Sequence, residues 1–529
     1  MKTIAIYGIP GTGKTTFLLK KYNEISSSNP FTKICYWTFR KNMAMDFIKR
    51  LGNSFYNINA STIHSICFRL LAKEFKLTRK NVALPWIDFV KFCRKRKIPI
   101  SEDDLIYDEE ECGEDRETVG GKIYTVYTNC INTLTKFEDW QKLPSYMKPN
   151  FDYIPEGYDN EDDLVIDTID AWLRYLEKND KVDFAQMLYK AYDLKLKPEM
   201  SIAMSDETHD MTPIQVELTK MWVKDVDEFY VALDVSQSIY SFWGSNPSFC
   251  KEVWKKADEK IILTPSYRIS QEVYEFARNV LRMSGQKSPD VKCIGKTKIW
   301  YCNVKDFIRA VKTLKPAILA RTRYHLSKIA KILRNHNLIF TGVYGWSRKM
   351  ISVYRVVWSV RNNVPVSIKD LEHFLDAYPS EFFKVKKSRL KSILPSRVEP
   401  DTILNVVTPY FKTILLKRKD PFSFVNKSAF TQRAIDMMND ALSKGVEPIV
   451  YAELHTIHGA KGLEWDYVLV VDGITNRIKT SMENYREEFE NECRVWYVAL
   501  TRARKLLGVV DYEIIDRNIP FLVDRSKLF

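Results

Sequence analysis

The segment GIPGTGKT at residues 8–15 constrains this chain more than any other, and it follows a strand-like apolar run at residues 3–7. It satisfies the pattern G-x-x-x-x-G-K-[ST], in which glycines let backbone N–H groups turn inward on an anion. Lys14 can reach the β- and γ-phosphates, and the Thr15 hydroxyl can bind Mg²⁺. A helix beginning near Lys14 would direct its positive end at the same anion. The pattern predicts a nucleoside triphosphate site made of Gly8, Ile9, Pro10, Gly11, Thr12, Gly13, Lys14, Thr15 and Thr16.

Length and composition favour several folded domains without a membrane span. The chain has 529 residues, 45% of them apolar, which is enough for about three or four domains. No window holds about 20 uninterrupted apolar residues, so no membrane partner is expected. The start MKTIAIYG leads directly into the glycine-rich segment, and the nine cysteines form no C-x-x-C pair. Neither a signal peptide nor a zinc or iron–sulfur site is therefore expected, and we predict a cytoplasmic protein.

The charge balance points to a polyanionic partner. Net charge is +14 and the isoelectric point is about 9.1, which favours nucleic acid as that partner. Basic side chains are concentrated at residues 91–97, 384–391 and 417–419. Each cluster taken alone is also typical of a solvated helix face, so the charge indicates a class of partner and not a binding surface.

Strand-like and helical segments alternate in two parts of the chain, which predicts an α/β protein with parallel sheets covered by helices. Residues 1–76 and 166–275 are predicted to form a first domain, interrupted by an insertion at 77–165. Residues 276–344 and 446–529 are predicted to form a second domain, interrupted by a mainly helical insertion at 345–445. Strands are predicted at residues 2–7, 33–38, 200–205, 228–233, 317–322 and 467–472.

Two acidic residues follow one of these predicted strands. Asp206 is placed to hold Mg²⁺, and Glu207 is the natural general base for an attacking water. An adjacent Asp-Glu pair carries little weight by itself in a chain with 67 acidic residues. Its interpretation therefore depends on the motifs around it.

Those motifs resemble a known family. They read DETHDMTPIQ at 206–215, ALDVSQSIYSFWGS at 232–245, LTPSYRIS at 263–270, HTIHGAKGLEWD at 455–466 and NECRVWYVALTRARKLL at 491–507. Their order resembles that of the UvrD/Rep family of superfamily 1 DNA helicases, and segments 37–42, 61–67 and 183–188 resemble three further motifs of that family. The resemblance extends over residues 8–505. It implies two RecA-like P-loop domains that use ATP and Mg²⁺.

The resemblance also implies roles for individual residues around the nucleotide. Gln237 is implied to sense the γ-phosphate, Tyr267 to stack on the adenine, and Glu464 to contact the ribose. Arg268 and Arg502 are implied to be arginine fingers from the two sides of the cleft. A finger supplied by the second domain makes hydrolysis depend on domain closure.

For the DNA track, the resemblance implies side chains that stack on the bases of one strand. Stacking suits movement along DNA because every base has a π-face, so binding tolerates any sequence. The candidates are Phe39, His64, Phe242, Trp243 and His458. For the two histidines, a supporting role inside the protein is an open alternative.

The chain departs from the family pattern at several positions. Trp243 stands where the family has Arg, His209 where it usually has Gln, Ser266 where it has Asn, and Ile269 where it has Ser. Gly8 is so near the start that the upstream glutamine motif, which reads the adenine edge, is expected to be absent. Base specificity is therefore open, because stacking alone discriminates weakly. The second insertion is expected to be shorter than usual, and no nuclease domain is expected to follow.

The resemblance implies an ATP-dependent translocase on single-stranded DNA and a DNA helicase that travels 3′ to 5′ as a monomer. Its expected partners are single-stranded and tailed duplex DNA, with replication or repair proteins as candidates. One alternative is a translocase that strips proteins from DNA with little unwinding, which the reduced second insertion favours. Another is an NTP-gated DNA-binding module, which Trp243 favours. A small-molecule P-loop kinase accounts for residues 8–15 but not for the later motifs.

Overall fold

Two parallel β-sheets, each of six strands, organise the protein. The computed structural model describes residues 1–52, 58–101, 118–426, 428–515 and 519–522. The strands are β1 (Lys2–Tyr7), β2 (Ile34–Thr38), β3 (Ile58–Thr62), β4 (Ile202–Ser205), β5 (Glu228–Leu233), β6 (Glu259–Ile262), β7 (Lys298–Cys302), β8 (Ala317–Ala320), β9 (Ile339–Gly342), β10 (Val366–Ser367), β11 (Arg397–Val398), β12 (Val450–Thr456), β13 (Trp465–Val471) and β14 (Ala503–Val510).

Helices cover both sheets and fill the segments between them. They are α1 (Lys14–Ser28), α2 (Lys41–Leu51), α3 (Ile63–Phe75), α4 (Val90–Lys95), α5 (Val119–Thr133), α6 (Glu161–Lys178), α7 (Phe184–Asp193), α8 (Pro213–Val223), α9 (Ser248–Lys256), α10 (Gln271–Met283), α11 (Val304–Leu314), α12 (Arg323–Asn335), α13 (Arg348–Asn362), α14 (Ile368–Ala377), α15 (Lys387–Ile393), α16 (Pro400–Val406), α17 (Pro409–Lys417), α18 (Gln432–Ser443), α19 (Asn476–Asn484) and α20 (Arg486–Leu500). Within the described ranges, none of them combines the length and apolarity that crossing a bilayer requires.

The first sheet has the strand order β3-β2-β4-β5-β1-β6, and all of its pairings are parallel. Parallel pairing brings the carboxyl ends of the strands to one edge. The glycine-rich segment after β1 therefore lies at the same edge as Asp206 after β4 and Asp234 after β5. The sequence pattern missed β3 and β6, which are edge strands. β3 is half-buried throughout and β6 is mostly exposed, so neither has the apolar run of a central strand.

The second sheet has the order β7-β14-β13-β8-β12-β9, again parallel throughout. Its central strand β8 is fully buried, as expected for a sheet covered on both faces. The segment 457–464 follows β12, and Arg502 precedes β14. The predicted α/β class with two parallel sheets flanked by helices is confirmed.

The two predicted insertions relate differently to the sheets. Side chains from residues 83–151 share one continuous hydrophobic cluster with Trp37 and Phe229 of the first sheet. Most of the buried hydrophobic residues between 339 and 446 form a separate cluster of their own. Helix α6 runs across the predicted boundary at 165/166, and α10 runs across that at 275/276. Residues 53–57, 102–117, 427, 516–518 and 523–529 of the predicted segments lie outside the described residues.

Candidate nucleotide hydrolysis site

The glycine-rich segment forms a tight loop between β1 and α1. Gly11 and Gly13 have φ of +80° and +86°, which favour glycine. A Cβ atom on Gly11 would lie 2.4 Å from Cβ of Arg268, so a larger residue does not fit there. Helices such as α3, α7 and α10 begin with a side-chain cap, whereas α1 follows Gly13, which has no side chain to cap it. The first N–H groups of α1 are therefore available to an anion.

Lys14 and Thr15 place their polar atoms at this loop. The largely buried Lys14 donates from Nζ to the Gly8 carbonyl at 2.8 Å. Thr15 donates from Oγ1 to Oδ2 of Asp206 at 2.6 Å. The hydroxyl of Thr16 accepts from Arg50 at 2.7 Å. The loop is thus tied directly to the end of β4.

Asp206 and Glu207 lie side by side, and their environments differ. Burial, followed by the neighbouring Glu207, raises the pKa of Asp206. Burial also acts to raise the pKa of Glu207, but Lys14 and His209 outweigh it and hold that pKa well below its usual range. Glu207 is therefore ionised near neutral pH, as a general base must be. Its backbone adopts a left-handed conformation, with φ of +54°.

The two predicted arginine fingers reach the site from different sheets. Arg268 follows β6 of the first sheet, and Arg502 precedes β14 of the second. Arg502 donates to Oε1 of Gln237 at 3.0 Å and to the Val498 carbonyl at 2.9 Å. Burial, then repulsion from Arg268, lowers its pKa to about 9. Both sheets therefore contribute a guanidinium to one cleft.

Tyr267 and Glu464 lie beside these arginines. Tyr267 donates its backbone N–H to the Gly11 carbonyl at 3.1 Å, while its side chain is 68% exposed. That exposure leaves the ring free for stacking. Glu464, for which a ribose contact is predicted, forms an ion pair with Arg268 and lies 3.5 Å from Arg504.

The residues present suit a magnesium-bound polyanion. Arg268 Nε is buried and has no hydrogen-bond partner in the described part of the chain, and the neighbouring Arg502 adds like charge. An anionic ligand would compensate both guanidinium groups. The oxygens of Thr15 and Asp206 are the kind of ligand that Mg²⁺ prefers, and a cation there would offset the burial of the Asp206 carboxylate.

Two buried cations link the first sheet to the segment after β12, and the sequence interpretation missed both. Lys461 forms an ion pair with Asp210, and each side chain is 3% or less exposed. Arg40 donates to the Tyr240 hydroxyl and to carbonyls of His458, at 2.7 Å, and Lys461. Their positions inside the recognised motif segments 37–42 and 455–466 were the only available signal.

Removing the Lys461 charge should leave Asp210 buried without its partner. We expect Lys461→Met to lower the free energy of unfolding by about 3–5 kcal/mol, because one half of a buried ion pair would stay behind. Lys461→Met with Asp210→Asn should recover much of the loss. Denaturant unfolding measures the effect, with Lys220→Met of the exposed Lys220–Glu217 pair as the control. Equal changes in the free energy of unfolding for Lys461→Met and Lys220→Met would contradict a buried, stabilising Lys461–Asp210 ion pair.

The aromatic candidates form a stack on the same side of the cleft. Phe39 stacks on Tyr240 with ring centroids 4.9 Å apart, and Tyr240 stacks on Trp243 at 5.4 Å. Phe242 meets His458 edge-on at 5.3 Å. Trp243 therefore extends an aromatic row at the position where the family has Arg. Tyr240 was not among the predicted residues.

His64 lies apart from this row. Its ring meets Phe184 edge-on at 6.4 Å. With Phe39, Asp206 and Glu207, it lines a cavity of about 10 Å³, which is room for about one water. His64 is thus close to the catalytic carboxylates, while His458 is buried against Phe242.

A P-loop, an acidic pair and arginines from two parallel sheets define a P-loop NTPase with a cleft between two α/β units. Comparison with known proteins specifies the family. Residues 1–258 match the UvrD/REP helicase N-terminal domain, and residues 416–513 match the UvrD-like helicase C-terminal domain. The chain belongs to the UvrD/Rep-like family of superfamily 1 helicases, as its motifs predict, and is an enzyme of the DNA helicase class.

Similar proteins carry helicase names. A probable DNA helicase II homolog of Mycoplasma pneumoniae is 21% identical over 609 residues, covering 95% of this chain and 81% of the relative. The ATP-dependent DNA helicase PcrA of Staphylococcus epidermidis is 21% identical over 616 residues, covering 95% and 80%. The ATP-dependent DNA helicase UvrD2 of Mycobacterium tuberculosis is 32% identical over 98 residues, covering 16% and 14%.

Proposed function

We propose that this protein is an ATP-dependent motor that moves 3′ to 5′ on single-stranded DNA and unwinds tailed duplexes. The observation that supports the proposal is that Arg268, beside the P-loop, and Arg502, from the other sheet, both act on the cleft that contains Glu207. Both sheets must then close on the nucleotide before the charge on the transferred phosphoryl group is fully stabilised. Hydrolysis and release would open and close the cleft, and such a cycle moves a motor along its track.

In the proposed reaction, Glu207 accepts a proton from the attacking water. Arg268 and Arg502 stabilise the charge that develops on the transferred phosphoryl group. Lys14 and the loop N–H groups orient the β- and γ-phosphates, and Gln237 joins Arg502 to the first sheet. Thr15 and Asp206 would hold Mg²⁺, which neutralises phosphate charge when bound.

We further propose the predicted division into two motor domains, each with one insertion, with the boundaries moved outside α6 and α10. Phe39, Phe242 and Trp243 are the proposed DNA track, and the fully buried ring of Tyr240 supports Phe39 and Trp243 from inside the protein. His64 and His458 are proposed to border it. A cytoplasmic monomer, with replication or repair proteins as partners, stays a prediction of the sequence.

Hydrolysis and unwinding assays test the proposal together. ATP and GTP turnover should be measured with and without single-stranded DNA, beside unwinding of 3′- and 5′-tailed duplexes. Stimulated turnover with 3′-tailed unwinding is expected. Stimulated turnover without unwinding would favour a translocase that strips proteins from DNA. Turnover that ignores DNA would contradict a motor and favour an NTP-gated binding module.

DNA binding should depend strongly on salt and little on sequence. Each neutralised phosphate contributes a slope of about −0.7 to log affinity against log salt on single strands. Phe242→Ala should weaken binding by about 1–3 kcal/mol, the range measured for stacking on one base. Fluorescence anisotropy with homopolymers measures both effects. Phe31→Ala, at a ring that is 90% exposed, is the control, and an equal loss for the two variants would contradict the proposed track.

A further inference from the structure

His209 replaces the family's glutamine and occupies a fully enclosed position. Its side chain is 0% exposed, and it belongs to a short helical turn that directly follows Glu207. The turn is held at both ends. Asp210 donates its N–H to the Glu207 carbonyl at 3.0 Å, and the Ser238 hydroxyl donates to the His209 carbonyl at 2.8 Å. The ring is therefore fixed relative to both Glu207 and the segment after β5.

The hydrogen bond at one ring nitrogen determines the role of the other. His209 Nδ1 accepts from the backbone N–H of Asp234 at 3.0 Å. Nδ1 then carries no proton, so the neutral ring has its N–H on Nε2. Nε2 lies 2.9 Å from Oε2 of Glu207. The N–H does not point along that line, and catalytic hydrogen bonds often align only once substrate is bound.

Asp234 connects this histidine to the opposite wall of the cleft. The Asp234 carboxylate accepts from Nε2 of Gln237 at 2.7 Å. Gln237 in turn accepts from Arg502 at 3.0 Å. A continuous series of polar contacts thus runs from Glu207 through His209, Asp234 and Gln237 to Arg502.

We infer that His209 is a positioning residue that orients the Glu207 carboxylate and joins it to the contacts that end at Arg502. This inference rests on the proposed hydrolytic function. Glutamine can accept through Oε1 and donate through Nε2, so it can supply the same two interactions. A histidine carries the same acceptor and donor on a rigid ring, which loses less conformational freedom.

A metal-binding role for this cluster is less consistent with its surroundings. Ligand atoms of Glu207, His209 and Asp210 lie within 4.8 Å of one another. However, Lys461 already forms a buried ion pair with Asp210, and His209 Nδ1 is used by Asp234. A second cation would have to displace Lys461 or share its charge-rich surroundings.

Three substitutions at position 209 test the inference on the full chain. His209→Phe retains a ring without hydrogen bonding, His209→Asn is too short to reach Glu207, and His209→Gln preserves both interactions. We expect His209→Phe and His209→Asn to lower kcat by about 10- to 100-fold. This is less than the loss expected when the general base itself is removed, because Glu207 is still present. The KM for ATP should change less than about 3-fold, because ground-state contacts are retained. His209→Gln should recover most of kcat.

Several outcomes would overturn the inference that His209 positions Glu207. One is wild-type kcat in His209→Phe, and another is a His209→Gln enzyme as slow as His209→Asn at unchanged thermal stability. A raised KM at normal kcat would indicate a binding residue. If His209→Phe does not fold, the comparison of Gln with Asn carries the test.

A double-substitution cycle adds a stricter criterion. In a protein that already carries Glu207→Gln, His209→Asn should lower kcat little further, because the two residues act together. Full additivity would contradict positioning through Glu207. The same comparison of variants can be made on basal hydrolysis, measured without DNA. If DNA does not stimulate the wild-type protein, the motor proposal fails, but this test of His209 is unaffected.

Discussion

Glu207→Gln is expected to lower DNA-stimulated ATP turnover by about 10²- to 10⁴-fold, the range supplied by a positioned general base. Nucleotide should still bind, because the carboxylate acts on the attacking water and contributes little to ground-state affinity. Lys14→Ala is expected to abolish turnover too, but with weaker nucleotide binding, because Lys14 orients the phosphates. Steady-state hydrolysis and binding of a fluorescent ATP analogue separate the two effects.

A matched control for this substitution lies on α8. Glu217 is partly exposed and pairs with Lys220 three residues along the same helix. Glu217→Gln removes the same charge outside the cleft and should leave turnover unchanged. Normal turnover in Glu207→Gln would show that another group activates water.

Arg268→Ala and Arg502→Ala should each reduce turnover by about 10³- to 10⁵-fold, as for arginine fingers in related phosphoryl transfers. The loss should appear in kcat far more than in KM, since these contacts strengthen as charge moves in the transition state. Arg502, with a pKa of about 9, is charged near neutral pH. Single-turnover hydrolysis at saturating ATP is the direct measurement.

Arg309→Ala is the control for the arginine variants, because Arg309 is 81% exposed and pairs with Asp306 on α11. If either finger variant changes only KM, that arginine binds ground-state nucleotide. The cleft between the two sheets would then not be the catalytic unit. Equal kcat losses in both variants would support joint action across the cleft.

The nucleotide loop, the acidic pair and the family could be predicted because each depends on short stretches of chain. Residues 8–15 carry their own turn geometry and charge, and Asp206 with Glu207 follows an apolar strand directly. The order of the later motifs identified the family without knowledge of contacts. Central strands such as β5 were predicted because burial on both faces leaves an unbroken apolar run in the sequence.

Tertiary structure decided how these pieces meet. Arg40 reaches the His458 carbonyl across 418 positions of sequence, and Lys461 reaches Asp210 across 251. No local period or spacing encodes such contacts, because they depend on how two sheets close on each other. The role of His209 is of the same kind. In the sequence it is a departure from a motif, whereas in the fold the Asp234 N–H determines its tautomer and its Nε2 lies 2.9 Å from Oε2 of Glu207.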